Sequence, residues 1–198
     1  MGRELELKFA ASGETLDALE EKYGPFTPIA MHTRYFDTPD RAFRAWKWTL
    51  RLRLENGRPV CTLKTRLPDG SRGEYETESG DIVSAIPALL EQGAPAELAE
   101  LAQRGLEEIC GARFTRLARL LDVPGGQVEL ALDRGEFTGG GRTLPFTEAE
   151  AELKAGPDQA LMEFGRALAE AFSLREEPRS KLQRAMALAA GAELTVDS

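Results

Sequence analysis

The alternation of apolar and polar residues changes period several times along this chain, and each change marks an element. The chain opens on Arg3-Glu4-Leu5-Glu6-Leu7-Lys8-Phe9, which alternates strictly. Side chains switch faces at every residue of a strand, so Leu5, Leu7 and Phe9 take one face and Glu4, Glu6 and Lys8 stand in a row on the other. Period two recurs at residues 27–36, 46–55, 58–66, 72–78, 112–122, 127–138 and 145–154. It is clearest at 46–55, where Leu50, Leu52 and Leu54 oppose Thr49, Arg51, Arg53 and Glu55. Asn56-Gly57 is a hairpin turn into the next strand, in which Cys61, Leu63 and Thr65 oppose Thr62, Lys64 and Arg66. Pro68-Asp69-Gly70, Pro124-Gly125-Gly126 and Gly139-Gly140-Gly141 are further turns.

Helical period interrupts the strands. Thr15 to Lys22 follows Ser12-Gly13-Glu14 and stops at Tyr23-Gly24-Pro25. Residues 81–108 read as two short helices split near Gly93 to Pro95, and residues 158–172 and about 180–190 also have helical spacing. Strands and helices interleave, but hairpins join most of the strands, which predicts an α+β fold with a mostly antiparallel sheet. No linker or low-complexity tract divides residues 1–198, so they read as one domain.

The polar strand faces carry an unusual amount of charge. They collect Glu4, Glu6, Lys8, Arg51, Arg53, Lys64, Arg72, Glu74, Glu76, Arg116, Glu129 and Asp133, and then the acidic row Glu148, Glu150, Glu152 that ends in Lys154. Two structures accommodate this. One is a sheet packed on helices by one face and solvated on the other. The second is a closed or nearly closed sheet with charge inside and apolar residues outside under covering helices, and a polar lumen of that kind must carry water or a ligand.

Composition narrows the function. A net charge of -8 argues against a general nucleic-acid binder, yet residues 1–66 carry 12 Lys and Arg against 9 Asp and Glu. Positive charge is therefore concentrated locally, as a concave anion site requires. No apolar run approaches the ~20 residues of a membrane span, and no signal-peptide core is visible. Glu6 stands where a myristoylation signal needs Ser or Thr. Cys61 and Cys110 are too few for a disulfide framework or a cysteine-built zinc site, and a reducing cytoplasm is the default.

The chemistry follows from the charge pattern. Lys8, Arg51, Arg53, Lys64 and Arg116 suit a multiply charged anion, with arginine fitted to bidentate phosphate contacts. Glutamate rows repel that anion unless hard cations lie between, which points to Mg²⁺ or Mn²⁺ and to phosphoryl transfer. The sequence contains no Walker A loop, no G-x-G-x-x-G, no H-E-x-x-H and no metal-spaced Cys pair. His32 has no convincing nucleophile partner, and Trp46 and Trp48 read as packing residues in a strand.

Several motifs, in order, resemble those of the triphosphate tunnel metalloenzymes, or CYTH domain. They are Glu4-Leu5-Glu6-Leu7-Lys8 (E-x-E-x-K), Tyr35-Phe36-Asp37-Thr38-Pro39, Leu50-Arg51-Leu52-Arg53, Thr62-Leu63-Lys64-Thr65 and Arg72-Gly73-Glu74-Tyr75-Glu76. Arg116, Leu132-Asp133, Glu148-Ala149-Glu150 and Ser180-Lys181 complete the set, which is most similar to bacterial inorganic triphosphatases. The resemblance implies an eight-stranded antiparallel tunnel with a charged lumen. It implies Glu4, Glu6, Glu76, Asp133, Glu148 and Glu150 as metal ligands, and Lys8, Arg51, Arg53, Lys64, Arg116 and Lys181 as triphosphate contacts. Glu4, Glu6 and Lys8 would be catalytic. Arg44, Arg66, Glu152 and Lys154 match the motifs loosely and are left as lumen residues. A metal-activated water would attack a terminal phosphoryl group, so no protein nucleophile is required. The expected protein is a cytoplasmic monomer or homodimer acting on a small-molecule triphosphate, without nucleic acid or membrane. Adenylyl cyclisation of the class IV type, thiamine triphosphate hydrolysis and non-catalytic polyphosphate binding are the alternatives. The additional phosphate-binding helical domain of some relatives is not expected here, since this sequence stops at Ser198.

Overall fold

The computed structural model of the protein describes residues 5–66 and 72–191. Its strands are β1 (Glu6–Ala10), β2 (Thr27–Asp37), β3 (Thr49–Glu55), β4 (Arg58–Arg66), β5 (Arg72–Glu78), β6 (Glu107–Val123), β7 (Gly126–Gly139), β8 (Arg142–Ala155) and β9 (Arg175–Glu176). The helices are α1 (Gly13–Tyr23), α2 (Ala42–Ala45), α3 (Ile82–Glu91), α4 (Glu97–Gln103), α5 (Asp158–Phe172) and α6 (Lys181–Ala189). All nine strands join one sheet in the order β5-β4-β3-β2-β6-β7-β8-β1-β9, antiparallel throughout. This is the expected antiparallel α+β arrangement. The eight expected strands gain a ninth of two residues, and among the described residues the hydrogen-bonded order runs from β5 to β9 without closing on itself.

Turn chemistry fixes the register. Asn56 and Gly57 both take positive φ, 50° and 84°, as a tight β3–β4 hairpin requires, and the Asn56 side chain also accepts a hydrogen bond from the Ala30 N–H at 2.8 Å. The Asp37-Thr38 segment is a cap. Asp37 is buried and its carboxylate accepts from the N–H groups of Thr38, Phe43 and Arg44, while the Thr38 hydroxyl accepts from Ala42 N–H. These bonds seed α2, so β3 begins at Thr49 and not at 46. Trp46 and Trp48 are thereby removed from the strand: Trp48 is buried edge-on against Phe43, and Trp46 lies exposed at the end of α2. The second half of the 81–108 segment is also shorter than its helical spacing suggests. α4 ends at Gln103, Gly105 follows with φ 88°, and β6 starts at Glu107 because its first residues pair with the end of β2.

Alternation sorts the sheet into two faces. On the outer face Leu50, Leu52, Cys61 and Leu63 are buried beneath α3 and α4, and Phe9, Leu130, Leu132 and Ala149 beneath α1 and α5. A fully buried Leu or Phe stabilises by about 1.5–3 kcal/mol, so these layers hold the strands in place. α5 approaches β1 closely because residue 165 is glycine; a Cβ there would lie 2.2 Å from Leu7 Cδ1. α6 packs on the other face. Its Ala185 and Leu188 cluster with Met31, Tyr35, Ala112, Phe114, Phe137 and Phe146, which share their side of the sheet with Arg116, Asp133 and Glu148. Ser180 and Gln183 form a reciprocal capping box at its start.

Candidate active site

The inner face is built as a ladder across β6, β7, β8 and β1. Cross-strand pairing places Arg116 opposite Asp133, Asp133 opposite Glu148 and Glu148 opposite Ala10. The next rung runs Ala118, Ala131, Glu150, Lys8, and the third Leu120, Glu129, Glu152, Glu6. Side chains directly opposite in an antiparallel pair sit about 4.5–5.5 Å apart at Cβ, so the first two rungs bring carboxylates together. Asp133, Glu148 and Glu150 are all buried, and each offers an oxygen within 4.8 Å of the others.

Three cations hold that triad. Arg116 grips Asp133 with two hydrogen bonds of 2.8 and 2.7 Å and also reaches Glu150. The Lys181 ammonium lies 2.8 Å from Asp133 and 2.7 Å from Glu150, and it also donates to Glu148. Arg184, one turn later on α6, donates to Glu148 while its guanidinium rests on the rings of Phe137 and Phe146, 4.8 and 5.6 Å from their centres. Burial opposes the charge of Glu150, but Lys181 and Arg116 outweigh it and hold its carboxyl well below the usual range. For Glu148 burial is the larger influence and pushes the carboxyl up. Lys181 and Arg116 are both raised, since their carboxylates more than offset burial.

The other wing of the inner face, β3 to β5, is basic. Arg51 and Arg53 project side by side, with side chains only 15% and 14% exposed, and each is paired loosely, with Glu76 at 3.8 Å and Glu55 at 3.8 Å. Arg53 Nε donates to the Thr33 hydroxyl at 3.0 Å, whereas Arg51 Nε is buried without a hydrogen-bond partner among the described residues. Burial, then Arg51, push the Arg53 guanidinium down to about 10, and Arg116 on β6 adds to the effect. Arg53 stays charged at neutral pH, but at a cost that an anion would remove. Lys64 pairs with Glu74 at 3.0 Å.

The expected site residues therefore fall into groups. Asp133, Glu148 and Glu150 converge, with Arg116 and Lys181 upon them. Arg51, Arg53 and Lys64 share the basic wing with Glu76, which accepts the Thr62 hydroxyl at 2.8 Å and stands apart from the triad. Lys8 lies beside Glu150 in register, 3.7 Å from Glu6, and Glu6 is half-exposed on the third rung with Glu152 and Glu129. Glu4 lies outside the described residues. Lys154 bridges Glu152 at 2.8 Å and Glu129 at 3.4 Å, and Arg44 and Arg66 are exposed. His32 accepts from Arg113 Nε at 3.3 Å, away from this cluster. Arg184 is the residue sequence reasoning missed; its signal was the three-residue spacing from Lys181, which puts both on one helix face. Converging carboxylate oxygens suit a hard divalent cation such as Mg²⁺ or Mn²⁺, so the donor set fits a metal. Among the described residues no helix is long and apolar enough to cross a membrane.

Comparison with known proteins adds to this geometry. The model of the CYTH domain matches residues 2–186. An inorganic triphosphatase of Haemophilus influenzae is 31% identical over 173 residues, covering 83% of this chain and 49% of that protein, so the chain spans about half the length of this curated relative. Among solved structures, a presumed adenylyl cyclase from Hippeastrum in which triphosphatase activity is dominant superposes with a TM-score of 0.72 at 22% identity, covering 98% of this chain and 99% of that one. A presumed adenylate cyclase from Bacillus halodurans gives 0.66 at 22% identity, over 91% of this chain and 96% of the other. At these identities the two structures speak for the fold alone.

Proposed function

The chain belongs to the CYTH domain family, and from that premise we propose that it hydrolyses a triphosphate, with inorganic triphosphate the preferred substrate and Mg²⁺ or Mn²⁺ required. What supports this reading above all is the pairing, on one sheet face, of two largely withdrawn arginines whose carboxylates stand 3.8 Å off, beyond hydrogen-bond contact, with three buried carboxylates whose oxygens converge. The inorganic triphosphatase from Haemophilus influenzae points to the same substrate. In this reading Arg51, Arg53 and Lys64 bind the non-reacting phosphoryl groups, and Arg116 and Lys8 stand nearer the carboxylates to neutralise the terminal one. Asp133, Glu148 and Glu150 hold the cation, with Glu6 on β1 and Glu4, two residues earlier in the sequence, as further ligands and Glu76 as a ligand on the opposite wing. When bound there, a hard divalent cation would supply Lewis-acid charge and make a water more acidic. Positioning and charge neutralisation then do most of the work, which agrees with the lack of a candidate nucleophile.

A phosphate-release assay tests the proposal, using inorganic triphosphate, thiamine triphosphate and ATP with Mg²⁺ or Mn²⁺ and with EDTA. Fast, EDTA-sensitive release from inorganic triphosphate is expected. Preferential release from thiamine triphosphate would change the substrate, and cyclic AMP from ATP would replace hydrolysis by cyclisation. One observation favours a second reading, a polyphosphate-binding module: Arg116, Lys181 and Arg184 already neutralise the triad without a metal. Tight triphosphate binding with no release from any substrate would establish it. Wild-type turnover in a Glu4→Gln/Glu6→Gln double variant would remove those two residues from the metal set and leave the triad as the cation site.

A further inference from the structure

Resting on the metal-dependent reading above, we propose that Lys181 occupies the metal's carboxylates in the free protein. The divalent cation then enters together with the triphosphate, as Lys181 swings from carboxylate to phosphate. The argument begins with charge. Asp133, Glu148 and Glu150 supply three negative charges, and Arg116, Lys181 and Arg184 supply three positive ones, all largely buried. A divalent cation added to that set leaves two uncompensated positive charges out of water, which is strongly unfavourable. Added with a polyanion, the same cation is offset. Binding of metal and triphosphate is therefore synergistic, and metal alone binds weakly.

The geometry singles out the ion that moves. Arg116 is fixed by its two-bond grip on Asp133, and Arg184 is packed on Phe137 and Phe146. Lys181 instead touches all three carboxylates with one ammonium group, occupying the position between them that a cation would take. Lysine is a point charge on a flexible stem with rotatable donors, so its head can change partners by rotamer changes alone. Its backbone stays anchored as the first residue of α6, behind the Ser180 capping box. The aromatic rings of Phe114 and Phe146, 5.1 and 5.7 Å from its ammonium, provide a face along which the head can move.

Mn²⁺ titration followed by electron paramagnetic resonance tests this on the full chain. Wild type and Lys181→Gln are each titrated alone and with the diimido analogue of triphosphate, whose P–N–P bridges resist hydrolysis. Wild type is expected to bind Mn²⁺ at least about tenfold more tightly with the analogue than without, and Lys181→Gln to bind Mn²⁺ alone at least about tenfold more tightly than wild type. Equal Mn²⁺ affinity of the two proteins without the analogue overturns the inference and leaves the metal-dependent reading standing. Absence of Mn²⁺ binding in all four samples overturns that reading, and this inference with it. Should Lys181→Gln fail to fold, the wild-type Lys181 side-chain ¹⁵N resonance decides. It is expected to stay put with Mg²⁺ alone and to shift when Mg²⁺ and the analogue are added together; an unmoved signal in the second case overturns the proposal.

Discussion

The two wings of the inner face carry similar numbers of charges and treat them in opposite ways. On β7 and β8 each buried carboxylate has a cation in direct contact, supplied partly by β6 and partly by α6. On β3 two arginines lie adjacent, equally withdrawn from water, with their carboxylates at 3.8 Å and one Nε unpaired. The ions of the first wing are in direct contact in the free protein, whereas the arginines of the second hold their carboxylates only loosely. Removing one member of a cluster in direct contact strands its buried partners at high cost, whereas loosely paired arginines withdrawn from water carry charge that an anion would offset. On the proposed function, the difference would let a protein with a net charge of -8 take up a polyanion through a favourable field that is local, at β3 and β4.

That contrast can be broken by mutation. The largest effect is expected from Glu148→Gln, which leaves Lys181 and Arg184 buried with too little negative charge; stability in urea should fall by about 3–5 kcal/mol. Arg53→Gln should act in the opposite sense, leaving stability unchanged or raised by up to about 1 kcal/mol, because it removes a buried like-charge neighbour of Arg51. Equal losses from both substitutions would erase the distinction between the wings. Arg53→Gln should also weaken triphosphate binding roughly 10- to 150-fold by calorimetry, the equivalent of about 1.5–3 kcal/mol for one charge-assisted contact.

Acid sharpens the comparison further. The carboxyl of Glu150 is depressed in the folded state, so its contribution is present above the ordinary Glu value of about 4.3 and is lost as pH falls below it. Glu148 shifts the other way and offsets part of this loss. Thermal melts across pH 3–6 should show the decline in wild type and a flatter curve in Glu150→Gln. The smallest effect is expected at Lys64, which is partly exposed and already paired with Glu74. Lys64→Ala should weaken triphosphate binding by less than about tenfold, and the loss should shrink as salt is raised. A salt-independent loss would place Lys64 outside the anion site.

Much of this architecture was legible because strand alternation is a local property. Leu50, Leu52 and Leu54 against Arg51 and Arg53 fix which side of β3 is greasy, and α5 occupies the same residues, 158–172, that its Leu and Phe spacing marks out. The carboxylates of the triad were equally visible, since Glu148 and Glu150 share a strand face with no other possibility. Four features were not legible. Trp46 and Lys47 continue an apparent strand pattern, and only the Asp37 cap, built from bonds to Phe43 and Arg44, diverts them. The spacing in α6 reveals an apolar stripe but not which sheet face receives it; that depends on the ring cluster of Phe114, Phe137 and Phe146, drawn from three different strands. Arg184 stayed hidden for the same reason, because an arginine on a C-terminal helix reads as a solvated charge until the helix is known to lie inward. Glu76 carried a motif but not a location, and pairing to β4 places it on the basic wing.

The position of β1 has a bearing on biosynthesis. Although it precedes the other described strands in the chain, β1 hydrogen-bonds to β8, and its Lys8 flanks a carboxylate, Glu150, that is held by Arg116 and Lys181. A ribosome therefore exposes the first lysine long before the strand it pairs with, and the second only after the nine described strands have emerged. No nascent intermediate that lacks α6 can hold the triad neutral, so Asp133, Glu148 and Glu150 repel one another until α6 emerges with Lys181 and Arg184. Assembly of the cluster is thus tied to late, sequence-distant contacts of the kind that slow folding, and a chain truncated before residue 181 keeps its strand pattern while losing the counter-ions that let its interior charges come together.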